Sequence, residues 1–458
     1  MNAREFLAPL AAIDGQDQKL RSLAGLHAAD SLACLIAGAQ TLEGRALTAF
    51  YRSDGVPEPF AAAAAAAAVI RFTEWDDIHV PSCVTPGAVA VPAALAFAAD
   101  EASFSAAMAS GYAIGTALGE AIGGVSALPE TWPGLFAAPA IAAIATSTAL
   151  GLAPEIKAQA LVLALAGSSG RHGRPSGTPS ARWLVIGEAT LKGIRAAFAA
   201  RAGFKGDLDL LSPGWLRAQS GAAGEWQLPR PDAIRSVGLK PVVAARQGMN
   251  AIEAFRRLIA AGMEPGAIEE IRVSLPPAAV AVVSRPLNLE DRLSTIAHLG
   301  LQLGIAAFEP ERLSDVGRAL PFGPDARSLA ERVVIVADEA LCEGAGWPAK
   351  VAVRIGAEWV EQACPSIPGE DGDESRAREF LGRKFVSIRD VDPKAERVFE
   401  ALLAMETGAV RRASEMLYQA LAIQGTRGNA TRPNGSSVRE TIDNVKRRSG
   451  RETREERQ

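Results

Sequence analysis

At 458 residues, with 48% hydrophobic and 22% charged side chains, the chain has the make-up of a soluble globular protein too long for a single core, and two to three domains are expected. A formal charge of −4 argues against nucleic acid as the main partner. The four cysteines, Cys34, Cys83, Cys342 and Cys364, are widely separated and form no CxxC pair, which argues against a disulfide frame or a zinc site and for a reducing compartment.

The opening MNAREFLAPLAAIDGQDQKL carries charge early and has no long apolar core, so no signal peptide is expected. Ala61–Ile70 is apolar but only about half the length that spans a bilayer, and the stretch 137–153 is interrupted by Pro139, Thr146, Ser147 and Thr148. Both are expected as buried helices, with no membrane partner and a cytoplasmic location.

From Glu5 to about Gly203 nearly every segment predicts helix. Ala28–Ala39, Pro59–Ile70, Gly87–Ala99, Phe104–Ile122, Ala137–Leu150, Pro154–Gly167 and Gly187–Ala202 are apolar, of helical length, and bounded by glycine, proline or polar clusters. Heavy use of alanine favours closely packed helices, and segments apolar all round suit the centre of a large bundle. Ala244–Ala261 adds another helix. After Pro265 the pattern changes: IEEIRVSLPPAAVAVV, AERVVIVADEAL and PAKVAVRIGAEWVEQA carry the β-branched runs or alternation of strands, with a helical stretch, Arg292–Ala307, between the first two. The expectation is a mainly α protein: an all-helical domain over 1–261, completed by 390–423, with a smaller α+β domain over 262–389 inserted before the C-terminal helices. Residues 424–458 are polar and rich in glycine and arginine, the composition of a disordered basic tail.

The stretch TEWDDIHVPSCVTPG, Thr73–Gly87, is out of character with the apolar runs beside it. Adjacent acids before a helix, Asp76 and Asp77, could simply cap it. That explains one acid but neither Trp75 nor His79.

In the order of its motifs over roughly residues 5–423, the chain resembles the MmgE/PrpD family, which includes 2-methylcitrate dehydratase, cis-aconitate decarboxylase and iminodisuccinate epimerase. ADSLACLIAGAQ is similar to the family's early helix, and TEWDDIHVPSCVTPGAVAVPAALAFAAD to its acidic loop and the helix after it. SGYAIGTALGEAIG, ARWLVIGEATLKGIRAAFAARAGFKGD and GLKPVVAARQGMNAIEA resemble three further family segments. The resemblance implies a helical domain closed by a smaller α+β lid, a homodimer, no metal or organic cofactor, and a cleft holding a small polycarboxylate. Three motifs depart from it. The acidic loop ends in Thr85-Pro86-Gly87 where the family has His-Pro-Ser, Pro133 follows Trp132 where the family has histidine, and Arg182 and Val185 stand at a family lysine and histidine. Lys240 keeps its family identity.

Polycarboxylate chemistry needs cations to hold carboxylates and a base beside the acidic C–H. Arg182 suits the first task through its bidentate fork. Arg171, His172 and Arg174 share its glycine- and proline-punctuated loop, where His172 could transfer protons and the arginines could equally form a solvated basic surface. Lys240 could serve as base if desolvated, bind a carboxylate if charged, or be an exposed structural lysine. Arg246 could face the same cleft or the helix surface. Asp76 and Asp77 would polarise a proton-transfer group, His79 would take the proton that the missing family histidine takes, and Thr85 could donate a hydrogen bond. His298 predicts a buried histidine satisfied by a neighbour; His27 is assigned no role, and a Cys83 thiolate is the least supported candidate.

The function expected is a cofactor-independent lyase that abstracts a proton α to a carboxylate of a small polycarboxylate. The alternatives are an epimerase of a dicarboxylate, which needs no leaving-group acid, and a catalytically degenerate dimer that only binds an acid or a partner protein.

Overall fold

Alanine and glycine set the distances between helices in this chain. In the computed structural model, which describes residues 1–422 apart from 54, 129–130, 171–181, 221–224, 319–320, 343–345, 368–373 and 390, the N-terminal helices are α1 (Ala3–Leu7), α2 (Gln18–Ala39), α3 (Leu42–Ser53), α4 (Phe60–Phe72) and α5 (Gly87–Phe97). They are followed by α6 (Glu101–Ala121), α7 (Pro133–Ala149), α8 (Pro154–Leu165), α9 (Leu184–Arg201) and α10 (Pro213–Ser220). The alanine run of α4 is buried on every side, because α2, α3, α5 and α9 all pack on it. Small side chains let backbones approach: a Cβ on Gly193 of α9 would lie 2.1 Å from the Pro139 carbonyl oxygen of α7. Helix α2 is long and apolar enough to cross a bilayer, but it is enclosed by α4 and α6 as a core helix of the bundle.

The expected helices are present, most with ends shifted by a few residues; α2 begins at Gln18, ten residues before the expected Ala28, and α7 runs through Pro139 without breaking. Helix α3, between Leu42 and Ser53, had no counterpart in the expected set. Only Gly44, Thr48 and Tyr51 are buried, while the larger apolar residues Leu42 and Phe50 are exposed, so no apolar stripe marks it in the sequence.

The second half begins with α11 (Arg246–Ala260) and β1 (Glu270–Leu275), then α12 (Pro277–Val283), α13 (Arg292–Ala297), α14 (Leu299–Phe308) and α15 (Pro324–Ala330). Strands β2 (Val333–Ala337), β3 (Ala349–Ile355) and β4 (Glu358–Cys364) complete a mixed sheet of order β2-β1-β3-β4, with β1 parallel to β2 and antiparallel to β3. Gly356, at φ +59°, and Ala357 turn the β3–β4 hairpin in two residues, which pairs Ile355 with Glu358. The buried residues of β1 alternate with more exposed ones (Ile271, Val273, Leu275), as do those of β3 (Ala349, Val351, Val353), and α11 packs on β3 and β4. Pro276 and Pro277 end β1, so the apolar stretch after them is the helix α12 rather than more strand. The single helix expected over Arg292–Ala307 is two, because His298 leaves the helical conformation and caps α14, its Nδ1 accepting from the Leu301 N–H at 3.0 Å. That histidine is satisfied by a neighbour as expected, but it is half-buried rather than buried.

The chain ends its described part with α16 (Glu374–Ile388), α17 (Ala395–Leu403) and α18 (Ala409–Ala422). Helices α16 and α17 pack on α2. So α16, placed by sequence with the strands, joins the helical bundle, while α11, placed with the bundle, lies on the sheet. Residues 1–421 form one compact unit.

Candidate active site

Between α4 and α5 the acidic loop is held by an isolated pair of backbone hydrogen bonds. Ile78 and Gly238 exchange N–H and carbonyl contacts at 2.9 and 3.0 Å in an antiparallel bridge. In such a pair the residues two before one partner and two after the other also face each other, here Asp76 and Lys240. Their side chains meet accordingly: Lys240 Nζ donates to Asp76 Oδ1 at 3.3 Å and to the Glu74 carbonyl at 3.3 Å. Arg71 Nη1, from the last turn of α4, donates to the same Asp76 oxygen at 3.3 Å. Asp76 Oδ2 is enclosed and receives no hydrogen bond among the described residues. Burial pushes the Asp76 carboxyl above its ordinary value; Arg71 and Lys240 oppose the rise, and the neighbouring negative charges of Glu74 and Asp77 add to it.

Asp77 is occupied quite differently. Its Oδ2 accepts from the Tyr112 hydroxyl and lies 2.9 Å from His27 Nδ1, and its Oδ1 accepts from the Gly87 N–H at the start of α5 at 3.0 Å. A carboxylate can only accept, so His27 carries its proton on Nδ1 here. The twin aspartates thus divide the two readings offered for them. Asp77 caps the next helix and ties it to α2 and α6, and Asp76 faces the cations. Gly87 permits this closeness: a Cβ there would lie 2.6 Å from Asp77 Oδ2.

Glu74, at φ +55°, turns its carboxylate toward cations on the other side of the loop. Arg71 Nη1 lies 2.8 Å from Glu74 Oε2, Arg182 Nε lies 3.7 Å from Oε1, and the Trp183 indole N–H donates to Oε1 at 3.5 Å. Burial alone would raise this carboxyl; Arg71, Arg182 and Lys240 outweigh it and hold Glu74 down at about 2. The Arg182 guanidinium stacks on Trp132 at 4.0 Å from the ring centre. Burial, with Arg71 and Arg285 adding to it, brings Arg182 down to about 10, still a cation at neutral pH.

Of the residues singled out from sequence, Asp76, Lys240 and Arg182 come together in one buried charge network, with Asp77 beside it. Lys240 is 2% exposed, so it is not a surface lysine. His79 does not join them. Its backbone pairs with Val84, and its Nδ1 accepts from the Ser82 N–H at 3.3 Å and lies 2.9 Å from Ser82 Oγ, which fastens the loop to itself. Burial, helped by Arg230, pushes the imidazole down to about 4. Thr85 is buried just before α5. Arg246 is buried too, not on the helix surface; its Nη1 donates to Asn250 Oδ1 at 3.0 Å, and Asn250 donates to the Cys364 carbonyl at the end of β4, so it braces α11 against the sheet. His172 lies outside the described residues, as do Arg171 and Arg174. Burial pushes the Cys83 thiol up to about 11, which leaves almost no thiolate at neutral pH.

Sequence reasoning missed Glu74, Arg71 and His27. Glu74 was legible only as a neighbour of the two aspartates, Arg71 as a lone charge closing an apolar run, and His27 as a polar residue within a helix buried on all sides. Among the described residues, no group of three or more His, Cys, Asp or Glu is placed to hold a metal ion.

A family model described as the MmgE/PrpD N-terminal domain matches residues 10–227, which take in the acidic loop, Trp132 and Arg182 but not Lys240. No curated protein matches the chain.

Proposed function

The chain belongs to the MmgE/PrpD family, and from that premise we propose that it is a cofactor-independent lyase acting on a small polycarboxylate. Membership points to dehydratase- or lyase-type chemistry at the level of the family. The observation that carries the finer reading is the asymmetry of Asp76: one oxygen is held by Arg71 and Lys240, and the other is buried without a donor. A carboxylate raised by burial is a stronger base than one in water, which suits removal of a weakly acidic proton. Asp76 Oδ2 takes the proton α to a substrate carboxylate, and the C–H electron pair moves into that carboxylate as an enediolate. Lys240 and Arg182 hold the developing charge. The electron pair then expels a β-hydroxyl, which leaves as water with the proton that Asp76 took, and the C=C bond that forms completes the lyase reaction. Because all these charged groups are buried or nearly so, substrate entry accompanies an opening of the chain around them.

A second reading has its own support. The positions where the family keeps histidines hold Thr85, Pro133 and Val185, and neither His27, His79 nor His298 hydrogen-bonds Lys240, Arg182 or Asp76. An epimerase needs no acid for a leaving group, because the abstracted proton returns to the carbon from one face or the other.

The test is incubation in deuterium oxide with a panel of di- and tricarboxylates, followed by mass spectrometry and proton NMR. Either enzyme exchanges the α-hydrogen, and only the lyase changes the product's composition. No exchange and no turnover across the panel would leave both readings without support.

A further inference from the structure

Two guanidinium groups outside the network just described have no partners to match their burial. Arg292, at the start of α13, has Nε, Nη1 and Nη2 shut off from solvent with no hydrogen bond to any of them among the described residues, although part of its stem is exposed. Its guanidinium lies 4.0 Å over the ring of Phe72, the last residue of α4 and two positions before Glu74. Arg318 donates from Nη2 to the Val243 carbonyl and to Gln302 Oε1, and its Nε and Nη1 are likewise enclosed and unpartnered. Gln302 in turn donates to the Thr295 carbonyl in the turn of α13 that follows Arg292, at 2.7 Å. The two arginines therefore flank the same short helix, one against the segment that carries Glu74 and the other three residues beyond Lys240.

Enclosing a guanidinium without a counter-ion costs several kcal/mol, and two together repel as well. Burial brings Arg292 down to about 10, and burial with the charge of Arg292 brings Arg318 down to about 9, so both remain cations at neutral pH. Glu43, Glu74 and Asp315 favour the charge of Arg292 from a distance, but none hydrogen-bonds it. What satisfies five enclosed nitrogens of this geometry is an oxyanion taken up from outside, and a carboxylate matches the planar fork.

We propose that Arg292 and Arg318 form a second carboxylate-binding subsite, so that the substrate is anchored at two carboxylates, one at Lys240 and Arg182 and one here. The inference rests on the reading of Lys240 and Arg182 given above and adds to it which residues hold the substrate's second carboxylate; a monocarboxylate lacks half of the anchorage.

Titration calorimetry and thermal shift with succinate, butyrate and inorganic phosphate, on wild type, Arg292→Gln, Arg318→Gln and Arg182→Gln, test this. Charge-assisted hydrogen bonds of this kind predict a loss of about 10–100-fold in succinate affinity for either subsite variant, with butyrate binding unchanged. Ligand-free Arg292→Met melts at or above the wild-type temperature, since an uncompensated charge has gone; a fall would mark the arginine as a structural partner and overturn the proposal. Unchanged succinate binding in Arg292→Gln and Arg318→Gln, with loss in Arg182→Gln, would remove the second subsite and leave the proposed function standing. Loss of phosphate binding alone in the subsite variants would reassign the site to phosphate. Absence of carboxylate binding to wild type would overturn the subsite, and the deuterium-exchange experiment would then judge the proposed function separately. If Arg292→Gln does not fold, Arg292→Lys, which keeps the charge but not the fork, is expected to bind succinate with intermediate affinity.

Discussion

The Lys384 ammonium and the Asp30 carboxylate, 354 residues apart, form a fully buried ion pair that joins α16 to α2. The same Nζ donates to the Trp75 carbonyl, one residue before Asp76. Burial alone would lower the Lys384 ammonium; Asp30 outweighs it and holds it above the ordinary lysine value. A late helix thus holds the acidic loop in place through one cation.

Burial already pushes the Asp30 carboxyl up and Lys384 opposes the rise; Lys384→Met leaves that buried carboxyl without its partner, at an expected cost of about 3–5 kcal/mol. Denaturant midpoints measure this, and Asp30→Asn with Lys384→Met should recover most of the loss. A single variant within about 1 kcal/mol of wild type would show that the pair does not hold the loop.

Asp76 and Asp77 should separate activity from stability. Asp76→Asn keeps an acceptor for Arg71 and Lys240 but loses the base, so α-exchange should fall by about 10²-fold or more with little change in melting. Asp77→Asn weakens the bonds to His27, Tyr112 and Gly87, and should cost about 1–3 kcal/mol of stability. The opposite pattern in the two variants would reverse the roles assigned here.

His79 gives the fold a pH dependence. Its imidazole is at about 4 in the folded chain against an ordinary 6.5, so between these values the unfolded chain binds more protons and stability falls as pH falls. The full effect is about 3 kcal/mol. Chemical denaturation from pH 7 to 4 should show this slope in wild type and lose it in His79→Gln. Glu74, held down at about 2, contributes stability that is present above its ordinary 4.5 and lost only as pH drops from there toward 2, so the two groups act in different windows.

Gly193→Ala should destabilise by about 1–3 kcal/mol, because its methyl would meet the Pro139 carbonyl backbone rather than a yielding side chain. A melting temperature equal to wild type would mean that α7 and α9 can part without cost.

Legibility in the sequence followed the range of the interactions. The helices from Phe60–Phe72 to Leu184–Arg201 were readable because apolar runs and their glycine, proline and polar boundaries are local. The two short strands of the hairpin were readable for the same reason. Helix α16 was not assigned to the bundle, since its polar ties there, Lys384 to Asp30 and Arg378 to Ser22 of α2, join segments far apart in the sequence. The unusual character of Thr73–Gly87 was visible, and Lys240 was singled out, but only through the family resemblance. The division of labour between Asp76 and Asp77, and the pairing of Asp77 with His27, were not.

By itself, then, the amino-acid order determined a mainly helical protein with close alanine contacts, a small sheet and an acidic loop set between two buried helices. These follow from periodicity and side-chain size, which act over a few residues. Only the tertiary structure decided which charges meet: the Ile78–Gly238 bridge sets Asp76 against Lys240, and the turn at Glu74 points its carboxylate at Arg71 and Arg182. Arg71 lies only three residues from Glu74, but Asp76 with Lys240 and Glu74 with Arg182 join segments more than a hundred residues apart at distances of a few ångströms, which no local pattern encodes.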